Sequence, residues 1–228
     1  MSLVFFDLET TGLHVLEDKI TQYMFLNSNN QTYFSSYVNP ECEVPPDCIK
    51  LNGVTWDDLK AYQTFREYIP KIIDFLGMEK PVYLVAHNGD SFDKVFLIQG
   101  MKKIGLKIPS NWFFIDTLKL ARHFLPQLEN HTMDTLRDYY HLSKDHAHLA
   151  TKDVLDLEKI YFHMAKEKTP YAMYLLNKEL SQIMPFGKYK GQLLKDIPED
   201  YFQFMVGKKI ITMEKNYDLF QNLQNIYV

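Results

Sequence analysis

Asp7 and Glu9 stand two residues apart at the end of an apolar run, Leu3-Val4-Phe5-Phe6. In an extended strand that spacing puts both carboxylates on one face. Two carboxylates on an otherwise apolar strand repel each other and lose hydration. A divalent cation between them relieves both costs, and an all-oxygen donor set suits Mg²⁺ or Mn²⁺. The plain alternative is a frayed, solvated strand end. Asp93 closes a second segment, AHNGDSFD (residues 86–93), where a buried strand runs through a Gly-containing turn into a helix. That places Asp93 at the C-terminal end of a neighbouring parallel strand, where open sheets bind ligands. A purely structural reading has Asp90 capping the helix and Asp93 complementing its dipole. A third segment carries His146, His148 and Asp153. A histidine four intervening residues before an aspartate, in a loop entering a long apolar helix, fits a mobile base beside a fixed ligand. A lone histidine is more often surface or core filling, so the weight rests on the three segments together.

The elements that must position these residues are legible as patterns. After the first strand, apolar segments at 20–26 and 32–38 flank NSNNQ, a turn-forming stretch, and predict an antiparallel meander. Apolar residues spaced three and four apart over 59–76 predict a helix. Residues 82–86 read as a strand, 91–104 as a helix, 112–115 as a strand and 117–124 as a helix. Strands alternating with helices predict parallel additions to the meander. Helices over 132–140 and 150–167 complete an α/β domain of five mixed strands ending near residue 168. A polar, Pro-containing break (KEKTP) precedes a small, mostly helical module, residues 169–228, that begins with a helix over 171–183. Within it Lys188, Tyr189 and Lys190 lie between Gly187 and Gly191. Two lysines and an aromatic there are candidate nucleic-acid contacts; otherwise the glycines make a turn and the lysines are solvated.

The chain has 228 residues, 46% hydrophobic and 24% charged, with a formal charge of −4. This excludes disordered and collagen-like chains, and no apolar run approaches the roughly 18 residues of a membrane span. The acidic start lacks the basic region of a signal peptide. Cys42 and Cys48 read as free thiols, because a structural zinc site needs four ligands. A reducing, cytoplasmic location is therefore expected. Only three of the 25 basic side chains are arginines (Arg66, Arg122, Arg137), which argues against sequence-specific base reading.

Residues 6–12 (FDLETTG), residues 87–93 (HNGDSFD) and His148-x4-Asp153 together resemble the three motifs of DEDDh-type 3′→5′ exonucleases. That group contains the proofreading epsilon subunit of bacterial DNA polymerase III and the TREX nucleases. VNP (38–40), LNGVT (51–55) and IDTLKLA (115–121) are similar to the family's spacer segments, with Asn52 where a histidine is usual. The resemblance covers residues 1–168. The tail also resembles an accessory module found behind such exonucleases.

The resemblance implies an RNase H-like fold and two Mg²⁺ or Mn²⁺ ions held by Asp7, Glu9, Asp93 and Asp153, with His148 rather than His146 as general base. It implies hydrolysis from the 3′ end of single-stranded or frayed DNA to nucleoside 5′-monophosphates. Residues Thr10, Thr11 and Gly12 would hold the terminal nucleotide, with Leu8 packing on its base and Asn88 supporting the turn before Asp93. A polymerase or other replication or repair protein is an expected partner. RNA is the alternative substrate, since discrimination rests on the 2′-OH; a non-catalytic nucleic-acid or polymerase-binding subunit is the alternative class. The four acids carry as much negative charge as the whole chain's net −4, so two bound divalent ions would bring the sum to about zero.

Overall fold

The N-terminal apolar run forms β1 (Ser2–Thr10), which pairs antiparallel with β2 (Ile20–Asn27). β2 in turn pairs antiparallel with β3 (Thr32–Tyr37), and β4 (Val82–Ala86) and β5 (Trp112–Asp116) add in parallel. The sheet order is β3-β2-β1-β4-β5, so the acid-bearing strand is central. The structure, a computed structural model, describes residues 1–143, 150–213 and 215–227.

Both faces of β1 are covered, and its alternation decides which residue goes where. Leu3 and Phe5 face a core shared with Val154, Leu157, Ile160 and Tyr161 of α7 (Ala150–Ala165). Val4, Phe6 and Leu8 face the opposite core, with residues of α3 (Phe65–Leu76) and α4 (Asp93–Lys103). Each fully buried large apolar side chain contributes about 1.5–3 kcal/mol, and the stripe of α7 is spaced to present such residues to Phe5. Asp7 and Glu9 continue the Leu3–Phe5 face past the end of the apolar core.

The five-stranded mixed sheet agrees with the expectation; several helix limits do not. Residues 59–76 are not one helix: α1 (Pro46–Asn52) and α2 (Trp56–Leu59) precede α3. The Thr64 hydroxyl and Glu67 carboxylate form a capping box that starts α3 afresh. α4 begins at Asp93, two residues later than expected. α5 (Thr117–Phe124) and α6 (Met133–Tyr139) follow β5. Pro170 is the first residue of α8 (Pro170–Leu180), capped by the Thr169 hydroxyl, so the Pro-containing break is also a helix start.

α8 packs on the α7 side of the sheet, where Met173 is fully buried. Beyond it a third core of Met184, Leu194, Phe202, Met205, Leu219 and Leu223 forms. It is built from a short 3₁₀ turn, α9 (Glu199–Gly207) and α10 (Tyr217–Tyr227).

Candidate active site

The C-terminal end of β1 and the first turn of α7 bring three acids together. Asp7, Glu9 and Asp153 offer carboxylate oxygens within 4.8 Å of one another. A donor set made only of carboxylate oxygens suits a hard divalent cation, and the electrostatics agree. Burial, followed by the charges of Asp93, Glu9 and Asp153, holds the Asp7 carboxyl well above the usual carboxylate range, with Arg137 opposing. A cluster that resists its own ionisation gains from a cation.

The fourth acid arrives from the other side. β4 ends at Ala86 while β1 runs on, leaving the Leu8 amide beyond the parallel ladder. That N–H donates to Asp93 Oδ1 at 3.0 Å. Asp93 is 3% exposed, and burial pushes its carboxyl up to about 7 against the lowering effect of the Leu8 amide. The structure thus unites Asp7, Glu9 and Asp153 in one cluster and sets Asp93 against the same strand.

Asp90 does not cap α4, whose N-cap, Phe92, makes no side-chain capping bond. Instead Asp90 accepts from Lys94 Nζ and Lys119 Nζ, each at 2.7 Å. Burial opposes its ionisation, yet the two ammonium groups hold its carboxyl below the usual range. His87 is half-buried and hydrogen-bonds Thr117 Oγ1 at 3.0 Å; desolvation lowers its pKa to about 4, so it is neutral at pH 7. Asn88 has φ +61° and donates its N–H to Asp116 Oδ1 at 2.9 Å, consistent with support of the turn. Gly89 is required there, since a Cβ would lie 2.7 Å from that of Ala86.

The expected nucleotide-holding residues lie less openly. The Thr10 hydroxyl donates to the Gly12 carbonyl at 2.6 Å, and the Thr11 hydroxyl donates to Asp18 Oδ1 at 3.0 Å. At Gly12 any Cβ would collide with the Asp18 carboxylate. Leu8 does not offer a base-packing surface: it is 4% exposed and sits in the core on the strand face opposite Asp7 and Glu9. The exposed apolar side chain next to this segment is Leu13, 73% accessible, which sequence reasoning passed over. His146 and His148 lie outside the described residues.

In the sequence Arg137 is simply one of three arginines. Its guanidinium, 1% exposed, donates to Asp134 and Asp156 at 2.9 Å each and to Asp153. Lys152 adds two hydrogen bonds of 2.5 Å to Asp156, which is fully buried. The signal was an arginine following Leu136 on the buried face of a short helix, with Asp153 and Asp156 one turn apart in α7.

A family model described as "Exonuclease" matches residues 4–161, and another, "Putative quorum-sensing-regulated virulence factor", matches residues 172–210. The DNA polymerase III PolC-type of Caldanaerobacter subterraneus subsp. tengcongensis is 32% identical over 167 residues, covering 72% of this chain and 12% of the polymerase. Exonuclease DPD1, chloroplastic/mitochondrial, of Arabidopsis thaliana is 34% identical over 175 residues, covering 71% of this chain and 55% of that protein. The chain therefore spans about half of one relative and a small part of the other. Among solved structures, Exonuclease X in complex with 5′ overhanging duplex DNA matches with a TM-score of 0.61 at 22% identity, over 77% of this chain and 99% of that one. E. coli Exonuclease I in complex with a dA16 oligonucleotide matches with 0.62 at 17% identity, over 77% and 42%. At these identities the structural likeness establishes the fold.

Proposed function

This chain belongs to the exonuclease family, and we propose that it is a metal-dependent 3′→5′ exonuclease that releases nucleoside 5′-monophosphates from single-stranded or frayed DNA. The observation that carries this reading is the convergence of Asp7, Glu9 and Asp153 within 4.8 Å, with Asp93 bound to the strand between the first two. Asp7, Glu9 and Asp153 would hold one Mg²⁺ or Mn²⁺, and Asp7 with Asp93 a second. When bound, such ions supply an activated water and neutralise charge at the phosphate and the leaving 3′ oxygen. His148, by its spacing to Asp153, is the base that accepts the water's proton near neutral pH. Leu13 rather than Leu8 offers the terminal base an apolar surface. DNA is favoured because the structural neighbours named above are described with DNA, and the PolC-type relatives support a polymerase or replication protein as partner.

A digest of 5′-labelled and 3′-labelled oligonucleotides, DNA and RNA, with Mg²⁺, Mn²⁺ or EDTA tests the reading. The 5′ label should shorten stepwise, the 3′ label should appear at once as mononucleotide, and EDTA should stop both. Absence of shortening in either metal by a folded protein overturns the proposal; preferential digestion of RNA reassigns the substrate.

The same proposal gives the C-terminal module a secondary grip on the strand through Lys188, Tyr189 and Lys190. Lys188 Nζ lies 5.0 Å from the centre of the Tyr189 ring, which packs edge-on against Tyr201. Lys190 lines a cleft of about 270 Å³ together with Arg122 and His123. The double substitution Lys188→Ala/Lys190→Ala should lower the salt dependence of single-strand binding by about 0.7 in log–log slope for each phosphate that is no longer neutralised. An unchanged slope in filter binding would remove these residues from the interface.

A further inference from the structure

The turn that delivers Asp93 is held from outside itself. α4 starts without a side-chain cap, and the preceding residues Asn88 to Ser91 make their tertiary bonds to distant elements. Asp116, at the end of β5, accepts from the amides of Asn88 at 2.9 Å and Asp90 at 3.3 Å. Lys94 of α4 and Lys119 of α5 hold Asp90, and further tethers come from the C-terminal module. Asn177 of α8, 3% exposed, accepts from the Asp116 amide at 3.0 Å and donates to Asp90 Oδ2 at 3.4 Å. Asp218 of α10 accepts from Ser91 Oγ at 2.6 Å and pairs with Lys119 Nζ at 2.6 Å. Lys119 also holds Asp90 at 2.7 Å and donates to Ser181 Oγ at 2.8 Å. The chain Asp218–Lys119–Asp90 is largely enclosed, its side chains 21%, 14% and 6% exposed.

We propose that the C-terminal module is a positioning unit for Asp93: Asn177 and Asp218 fix the 88–91 turn and thereby the acid that faces Asp7. The inference rests on the exonuclease reading of the acidic cluster, and it gives residues 169–228 a role within the site besides any grip on the strand. Buried hydrogen-bonded charges of this kind are costly unless fully paired, so the network has one well-satisfied arrangement. Loss of a module residue leaves Lys119 or Asp90 short of a partner, and the turn relaxes. Asp93 then loses its alignment while the sheet beneath it stays intact.

The test uses the full chain with Asp218→Ala and, separately, Asn177→Ala, each compared with wild type well below the melting temperature. kcat on a 5′-labelled oligonucleotide should fall about 10- to 100-fold, the scale of a small misplacement of a reacting group, while KM stays within about twofold. Calorimetric titration with Mn²⁺ alone should show weaker binding, and Asp218→Asn, which still accepts from Ser91, should restore part of both. A lowered melting temperature with unchanged kcat and Mn²⁺ affinity would show that the network is merely structural and overturn the proposal. A rise in KM with unchanged kcat would overturn it in favour of strand binding. Should wild type prove inactive on every strand, the exonuclease reading falls, while the Mn²⁺ titration still decides this one.

Discussion

Asp7→Asn is expected to abolish nuclease activity and at the same time to raise the melting temperature of the metal-free protein at pH 8. The first effect follows from the place of Asp7 between two groups of acids. Lewis-acid stabilisation of a transition state is worth several kcal/mol. With tenfold in rate for about 1.4 kcal/mol, the loss should reach at least about 10³-fold. The second follows from the carboxylates' mutual repulsion, which the amide removes without changing shape. A gain of roughly 1 kcal/mol would appear as about 2–4 °C in a chain of this size.

The pH dependence separates this account from a structural role. Burial raises the Asp93 carboxyl to about 7 and holds that of Asp7 well above the usual range. As pH rises above the ordinary carboxylate range, about pH 4, the unfolded chain releases these protons while the folded chain retains them. Metal-free stability from these groups is therefore full below that range and is lost as pH rises through about 7. The stabilisation gained by Asp7→Asn should thus be larger at pH 8 than at pH 5. Mg²⁺ or Mn²⁺ should stabilise wild type increasingly over the same interval and the variant much less. Melting curves in EDTA and in metal at both pH values check this. A large loss of metal-free stability in Asp7→Asn would mean that the carboxylate is a structural acceptor.

Much of this was legible because it is local. Period two along β1 placed Asp7 and Glu9 on one face, and the same period places Leu8 on the other, which the expected packing of Leu8 on a base overlooked. The start of α3 is marked by Thr64 and Glu67 at capping-box spacing, but the apolar spacing over 59–76 runs across it and reads as one helix. The role of Asp90 was not legible. As a sequence feature it is an acid near a helix start, which ordinarily caps. Of its two ammonium partners Lys94 is one helical turn away, but Lys119 lies 29 residues away, and Asp218 lies 127 residues from Ser91. No periodicity carries information across such separations, so the tie between module and turn becomes visible only once α5 and α10 are folded against the turn that follows β4. The tail read as an appendage for the same reason: Met173 and Asn177 look like ordinary helix residues until α8 is seen on the sheet.

Arg137→Met is expected to be the most destabilising single substitution near the site. The guanidinium is 1% exposed and satisfies Asp134, Asp153 and the fully buried Asp156 at once. Removing one partner of such a group strands the other's charge in a medium that cannot solvate it, at a cost of about 3–5 kcal/mol. Lys152 reaches Asp156 from a 22% exposed position and offsets part of this, which puts the expected fall in melting temperature near 10 °C. The double variant Arg137→Met/Asp156→Leu should recover most of the loss, because a buried pair replaced by apolar residues of similar size is often neutral or better. Recovery in a double-mutant cycle would measure the coupling directly; additive losses would show that Arg137 acts through Asp153 or Asp134 instead.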